Sequence, residues 1–147
     1  MAALAEPLPD GPSTRRLSEL PRRRRITLGA GLVEAAGACV FHNSYVVALP
    51  AGTIHCHRKL HPFERRAIRD GTDYTLFDSP EGFRVGVLIC SDCYLIENVR
   101  INALRGAEIL LVPHQTGAVC SKNPQLMGLI DRRHWHNRHH DPAAIEH

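Results

Sequence analysis

Two short, almost unbroken apolar runs constrain this chain more than any other feature. Residues 84–89 (Arg-Val-Gly-Val-Leu-Ile) and 108–112 (Glu-Ile-Leu-Leu-Val) flank a segment with Ile96, Val99 and Ala103 at i, i+3 and i+7. Such runs suit strands buried on both faces, and the spacing between them predicts a helix ended by Gly106. A strand, a helix and a second strand joined by short connections form a βαβ unit, which requires a parallel pair in an α/β sheet. Only 5% of the residues are aromatic, so aliphatic side chains must fill the core.

Upstream, residues 26–28 continue through glycines to Leu32 and Val33 as a strand, and residues 39–49 form another. Pro50-Ala51-Gly52-Thr53 is a turn leading into a strand over 54–58, so the last two strands are expected to pair as a hairpin. Ser13 or Thr14 is expected to cap a short helix with Leu17 and Leu20 facing inward, which Pro21 stops or kinks. Residues 61–73 read as irregular, 74–77 as a short strand, and Ser79-Pro80-Glu81-Gly82 as a turn.

The formal charge is +3, and much of the basic excess sits in the run Arg22 to Arg25. No aromatic residue is interleaved with that run for base stacking, so the reading is a solvated surface, with no nucleic-acid partner. No apolar stretch is long enough to cross a bilayer, and the first residues lack a signal-peptide pattern. Five cysteines, an odd number, make a disulfide framework unattractive and favour reduced thiols in a cytoplasmic protein.

Two places carry reactive side chains. Cys90 ends a buried strand at the turn before the helix. There a helix dipole and free N–H groups could stabilise a thiolate and then an oxyanion. A buried cysteine is equally a small hydrophobe filling a core. Lys59, directly after the 54–58 strand, could stabilise an oxyanion by charge, or could simply be a solvated edge next to Arg58. Cys90-x-x-Cys93, His55-Cys56-His57 and the group His134, His136, His139 and His140 offer zinc-type ligands. A single C-x-x-C is weak evidence, and the preferred reading has neither metal nor cofactor.

Taken together, Arg58-Lys59-Leu60-His61-Pro62-Phe63 resembles the lysine motif of the nitrilase superfamily of carbon–nitrogen hydrolases. Residues 86–92 with Glu97 and Arg100 resemble its cysteine motif, and residues 106–113 the strand that follows. Gly31-Leu32-Val33-Glu34 and Asn43-Ser44 resemble upstream family segments. The resemblance implies an α/β fold, part of an α-β-β-α sandwich with a mixed sheet and a βαβ unit around the nucleophile cysteine. It further implies that Cys90 attacks a non-peptide amide or carbamoyl carbon to give a thioester. Lys59 would steady the tetrahedral intermediate, and a glutamate would serve as base and acid. Nitrilases proper usually place Trp-Glu after the cysteine, whereas Ser91-Asp92 follows here, which favours amide or carbamoyl substrates. Glu64 could orient Lys59, or be an ordinary surface glutamate among arginines.

The family's triad glutamate precedes the Gly31–Glu34 segment, and Glu6, Glu19 and Glu34 do not match its position. The expectation is therefore a partial domain over residues 1–147, with a loop at 1–13 and a weakly ordered tail at 131–147. It would lack the opening strand–helix–strand unit and the C-terminal part of the sandwich, as a shortened gene or misplaced start codon would produce. Activity would be impaired. The alternative is a non-catalytic homologue acting in binding or assembly, and formation of a homo-oligomer is left open.

Overall fold

Proline is tolerated in the first turn of a helix, where its missing N–H has no partner to lose. Pro12 opens helix α1, Pro12–Arg24, with Gly11 as the capping residue. The computed structural model describes residues 2–62 and 67–114, and its helices and strands lie in a unit that ends at Pro113. Ser13 is not the cap expected of it. It lies inside the helix and donates from N and Oγ to the Glu6 carboxylate, at 2.8 and 2.7 Å. A carboxylate thus meets the positive end of the helix. Pro21 does not stop the helix, which runs on to Arg24. It sits buried within one turn of the end, Thr14 is buried in the first turn, and Leu20 is exposed.

Strands β1 (Leu28–Gly37), β2 (Val40–Ala48) and β3 (Ile54–Arg58) form an antiparallel sheet in that order. The β2–β3 hairpin pairs Ala48 with Ile54, and its turn places Gly52 at φ +93°, where a side chain would be strained. Strand β1 starts at Leu28 rather than Ile26, which is exposed, and continues past Val33 to a bulge between Ala35 and Gly37. A second sheet holds β4 (Thr75–Asp78), β5 (Arg84–Val87) and β6 (Ile109–Leu111). Strands β4 and β5 are antiparallel, whereas β5 and β6 are parallel, joined through helix α2 (Ile96–Leu104). This is the βαβ unit that the two apolar runs require, within a mixed sheet.

Side chains alternate across each strand, and the alternation sets the layers. Val47 and Leu49 from the first sheet meet Phe77, Val85 and Val87 from the second in one core cluster, with Tyr45 and Leu111 packed against it. Val46 and Ala48 point the other way and are also buried, on the side of β2 against which α1 packs. On the second sheet, Gly86 faces α2: a Cβ built there would lie 2.4 Å from Asn102 Oδ1. The order of layers is helix, sheet, sheet, helix.

Helix α2 is rotated away from the expected setting. Asn98 and Asn102 are its buried residues, while Ile96 is 68% exposed and Leu104 77%. Hydrogen bonds explain the rotation. Asn98 Nδ2 donates to the Asp92 carbonyl at 2.8 Å, and the Tyr74 hydroxyl donates to Asn98 Oδ1 at 2.6 Å. Asn102 Nδ2 donates to the Asn98 carbonyl at 2.9 Å. Gly106, at φ +89°, ends the helix as expected.

Candidate active site

Strand β5 does not end its pairing at Val87. Leu88 N donates to Leu111 O and Cys90 N to Pro113 O, each at 3.0 Å, so the parallel register carries through to the cysteine. There the backbone turns sharply, with Cys90 at φ 51°, an uncommon conformation for any residue but glycine. A single 3-10 turn, Cys90–Tyr94, follows, and Leu95 is extended before α2 begins at Ile96. The helix dipole expected directly behind Cys90 is therefore displaced along the chain. What Cys90 opens is a 3-10 turn closed by Asp92 N donating to Ile89 O at 3.1 Å.

Lys59 follows the end of β3 and is buried, with its N donating to Asn43 O at 2.8 Å and its carbonyl accepting from Gly71 N at 2.7 Å. Cys90 and Lys59 both follow the carboxyl ends of strands. Those strands, β5 and β3, are members of the two facing sheets.

The join between them is Asp92. Its carboxylate is fully buried and accepts three backbone N–H bonds: from Leu60 at 3.2 Å, His61 at 2.8 Å and Ile89 at 3.1 Å. Two of these donors belong to the lysine segment and one to the cysteine segment. Ser91 Oγ adds a donation to His61 O at 3.4 Å. On the inner face of β3, His57 places Nε2 4.0 Å from Asp92 Oδ2 and Nδ1 3.2 Å from Thr75 Oγ1. Burial holds His57 below the usual histidine range, against the opposing pull of the Asp92 charge, so the ring is neutral at pH 7.

Cys93 lies in the same 3-10 turn. Burial pushes its thiol up, and negative charge on Cys90 adds to the shift. Tyr94 is raised as well, by burial first and then by the two cysteines. Cys93 is thus held as a thiol, a poor nucleophile.

The three early glutamates have other positions. Glu6 holds Ser13. Glu34 is buried and accepts from Arg58 Nε at 2.9 Å, Arg58 Nη2 at 2.6 Å and Ser44 Oγ at 2.7 Å. Burial alone would raise its carboxyl, but the Arg58 and Ser44 hydrogen bonds and the Arg58 charge bring it below the usual range. Glu19 is on the exposed side of α1. Glu64, the histidines from 134 to 140 and the 131–147 tail lie outside the described residues.

A cleft of about 340 Å³ opens elsewhere, between the Leu8-Pro9 loop and Glu34, Ile54, Cys56, Arg58, Thr72 and Asp73. It uses the face of β3 opposite His57, so it is not the space around Cys90. The same alternation separates His55, stacked on Phe77 at 4.7 Å, from Cys56. Among the described residues no three histidine, cysteine or acidic side chains group as a metal site.

Sequence reasoning missed Asp92 and His57 as parts of this site. The signal for Asp92 was present, an acid two residues after a strand-end cysteine, but two of its partners lie about thirty residues earlier in the chain.

A helix–sheet–sheet–helix sandwich that presents a cysteine at a strained strand end, tied to a buried lysine loop, defines the class: an α/β sandwich with a mixed sheet. The sequence pattern of the carbon-nitrogen hydrolase family matches residues 1–140. The chain belongs to that family, within the nitrilase superfamily. A nitrilase of Pyrococcus abyssi is 35% identical over 114 residues, covering 75% of this chain and 42% of the relative. The carbon-nitrogen hydrolase from Helicobacter pylori G27 superposes with a TM-score of 0.68 at 27% identity, over 82% of this chain and 43% of that one. A variant of the amidase from Nesterenkonia sp. AN1 superposes with a TM-score of 0.61 at 27% identity, over 78% of this chain and 46% of that one. Its structure shows acrylamide added to its active-site cysteine. The chain spans less than half the length of these relatives.

Proposed function

We propose that Cys90 is the nucleophile and Lys59 the oxyanion-stabilising cation of a hydrolase acting on small amide or carbamoyl compounds. The observation that carries the reading is the Asp92 carboxylate, which binds the cysteine turn and the lysine loop at one point. The active-site cysteine of the Nesterenkonia amidase supports the same role for Cys90.

In this scheme the Cys90 thiolate adds to the carbonyl carbon, and negative charge moves onto the oxygen, where the Lys59 ammonium offsets it. Collapse expels the nitrogen, which leaves as ammonia or amine once protonated. Water then cleaves the thioester, releasing acid and restoring the thiol. Glu64 would orient Lys59 from beyond Pro62.

Both the protonation of the leaving nitrogen and the activation of water need an acid–base group. Glu6 and Glu34 are engaged elsewhere, by Ser13 and by Arg58 with Ser44. The 147-residue chain should therefore hydrolyse slowly, by the roughly 10²–10⁴-fold that general acid–base help supplies.

The test incubates the chain with iodoacetamide and, separately, with a panel of small amides and carbamoyl compounds. Alkylation at Cys90 with turnover near background is expected. Fast turnover abolished by Cys90→Ala would keep the nucleophile and overturn the impairment. Turnover that survives Cys90→Ala would overturn the nucleophile itself.

A further inference from the structure

We propose that Asp92 is the positioning residue of this site: its carboxylate fixes the Lys59 loop against the Cys90 turn, so that the lysine charge reaches the sulfur. The inference rests on the roles proposed for Cys90 and Lys59.

A fully buried carboxylate is expensive unless its charge is met by donors. Among the described residues Asp92 has three, all backbone N–H groups rather than side chains that could swing away. Oδ2 is shared between Leu60 N and Ile89 N, so one oxygen atom joins the residue after Lys59 to the residue before Cys90. Oδ1 takes His61 N, fixing the direction of the loop beyond the lysine. The Asp92 carbonyl is held in turn by Asn98 Nδ2, which anchors the turn to α2. His57, behind the carboxylate on β3, is neutral and sets a limit to its movement. Within these two segments the ionisable groups are Asp92, Cys93 and Tyr94 beside Cys90, and His57, Arg58, Lys59 and His61 on the opposing strand and loop, with Arg58 turned to Glu34 on the other face of β3.

This arrangement makes a prediction whose sign distinguishes two roles. A negative charge near Cys90 opposes thiolate formation, so removing it by Asp92→Asn would, if charge were all that mattered, shift the alkylation profile to lower pH. If Asp92 acts by placing Lys59, the same substitution lets the lysine drift and shifts the profile to higher pH. A merely structural residue would lower thermal stability and leave the profile in place.

The experiment follows iodoacetamide labelling of Cys90 in the full chain by peptide mass spectrometry, from pH 6 to 10. It uses the parent protein, Asp92→Asn, Lys59→Met and the double variant. Both single variants should move the midpoint upward, and labelling at neutral pH should slow roughly tenfold for every pH unit that the midpoint rises. Asp92→Asn should raise the midpoint no further in the Lys59→Met background, because its upward effect passes through the lysine. If Lys59→Met raises the midpoint but Asp92→Asn lowers it or leaves it still, this proposal is overturned and the role of Lys59 stands. If Lys59→Met has no effect, the role of Lys59 fails, and the proposal with it. Should Asp92→Asn not fold, Asp92→Glu serves instead: it keeps the charge but shifts the acceptors by a methylene, and an unmoved midpoint would overturn the proposal equally.

Discussion

Replacing Arg58 by methionine tests how the first sheet holds a buried charge. Glu34 has 3% of its side chain exposed, whereas Arg58 has 47%. The variant removes two charge-assisted hydrogen bonds and leaves Glu34 with Ser44 alone among its hydrogen-bond donors in the described residues. Losing one partner of a fully buried pair costs about 3–5 kcal/mol. Half of the arginine is in water, so screening reduces this to about 2–3 kcal/mol. There is also an upper limit. Glu34 can escape by taking up a proton, which from an ordinary carboxylate value costs about 4 kcal/mol at pH 7 and only about 1 kcal/mol at pH 5. In the parent protein Glu34 lies below its usual range, so its contribution is present above that range and lost as pH falls through the lowered value. In the variant burial acts without Arg58 and the carboxyl rises, so the penalty is relieved on acidification. Urea unfolding followed by circular dichroism should show the variant about 2–3 kcal/mol less stable at pH 7, with a deficit nearer 1 kcal/mol at pH 5. A deficit below about 0.5 kcal/mol at pH 7, or one independent of pH, would refute the reasoning.

Other outcomes follow from the same geometry. Gly86→Ala should destabilise by about 1–3 kcal/mol, read from the urea midpoint, because its Cβ would meet Asn102 and Leu110. His57, neutral in the fold, should make stability fall as pH drops below about 6.5 and level off below its depressed folded value. That slope should shrink in His57→Gln, leaving the part carried by His55, whose value burial also lowers, and an unchanged slope would place the titration on another group. Cys93→Ala should leave the labelling rate of Cys90 within about twofold, since burial keeps Cys93 protonated. A larger change would mean that the two sulfurs act together.

The parts of the fold that were legible are those set by local pattern. Continuous apolar runs separated by a helix gave the parallel β5–β6 pair, and the Pro50–Thr53 turn gave the β2–β3 hairpin. The rotation of α2 was not legible, because periodicity counts Ile96 and Ala103 as core, whereas hydrogen bonds from Tyr74 and to Asp92 draw Asn98 inward. The start of α2 escapes the sequence for a related reason: Asp92 spends its carboxylate on Ile89 N, which closes a 3-10 turn before the helix begins. At the site, Cys90 and Lys59 could be singled out from their places at strand ends. The carboxylate between them could not, since two of its three donors come from a distant loop that follows β3 of the other sheet.

The Asp92 bridge also bears on the order in which the molecule assembles. Each hairpin and the βαβ crossover can form from neighbouring segments, but the Asp92 contacts to Leu60 and His61 close loops 32 and 31 residues long. Contacts of that span come late, because chain entropy is lost before they repay it. Either sheet can therefore exist without a competent thiol. The rate at which Cys90 becomes reactive during refolding should report the docking of one sheet on the other, lagging behind the appearance of β-structure in either.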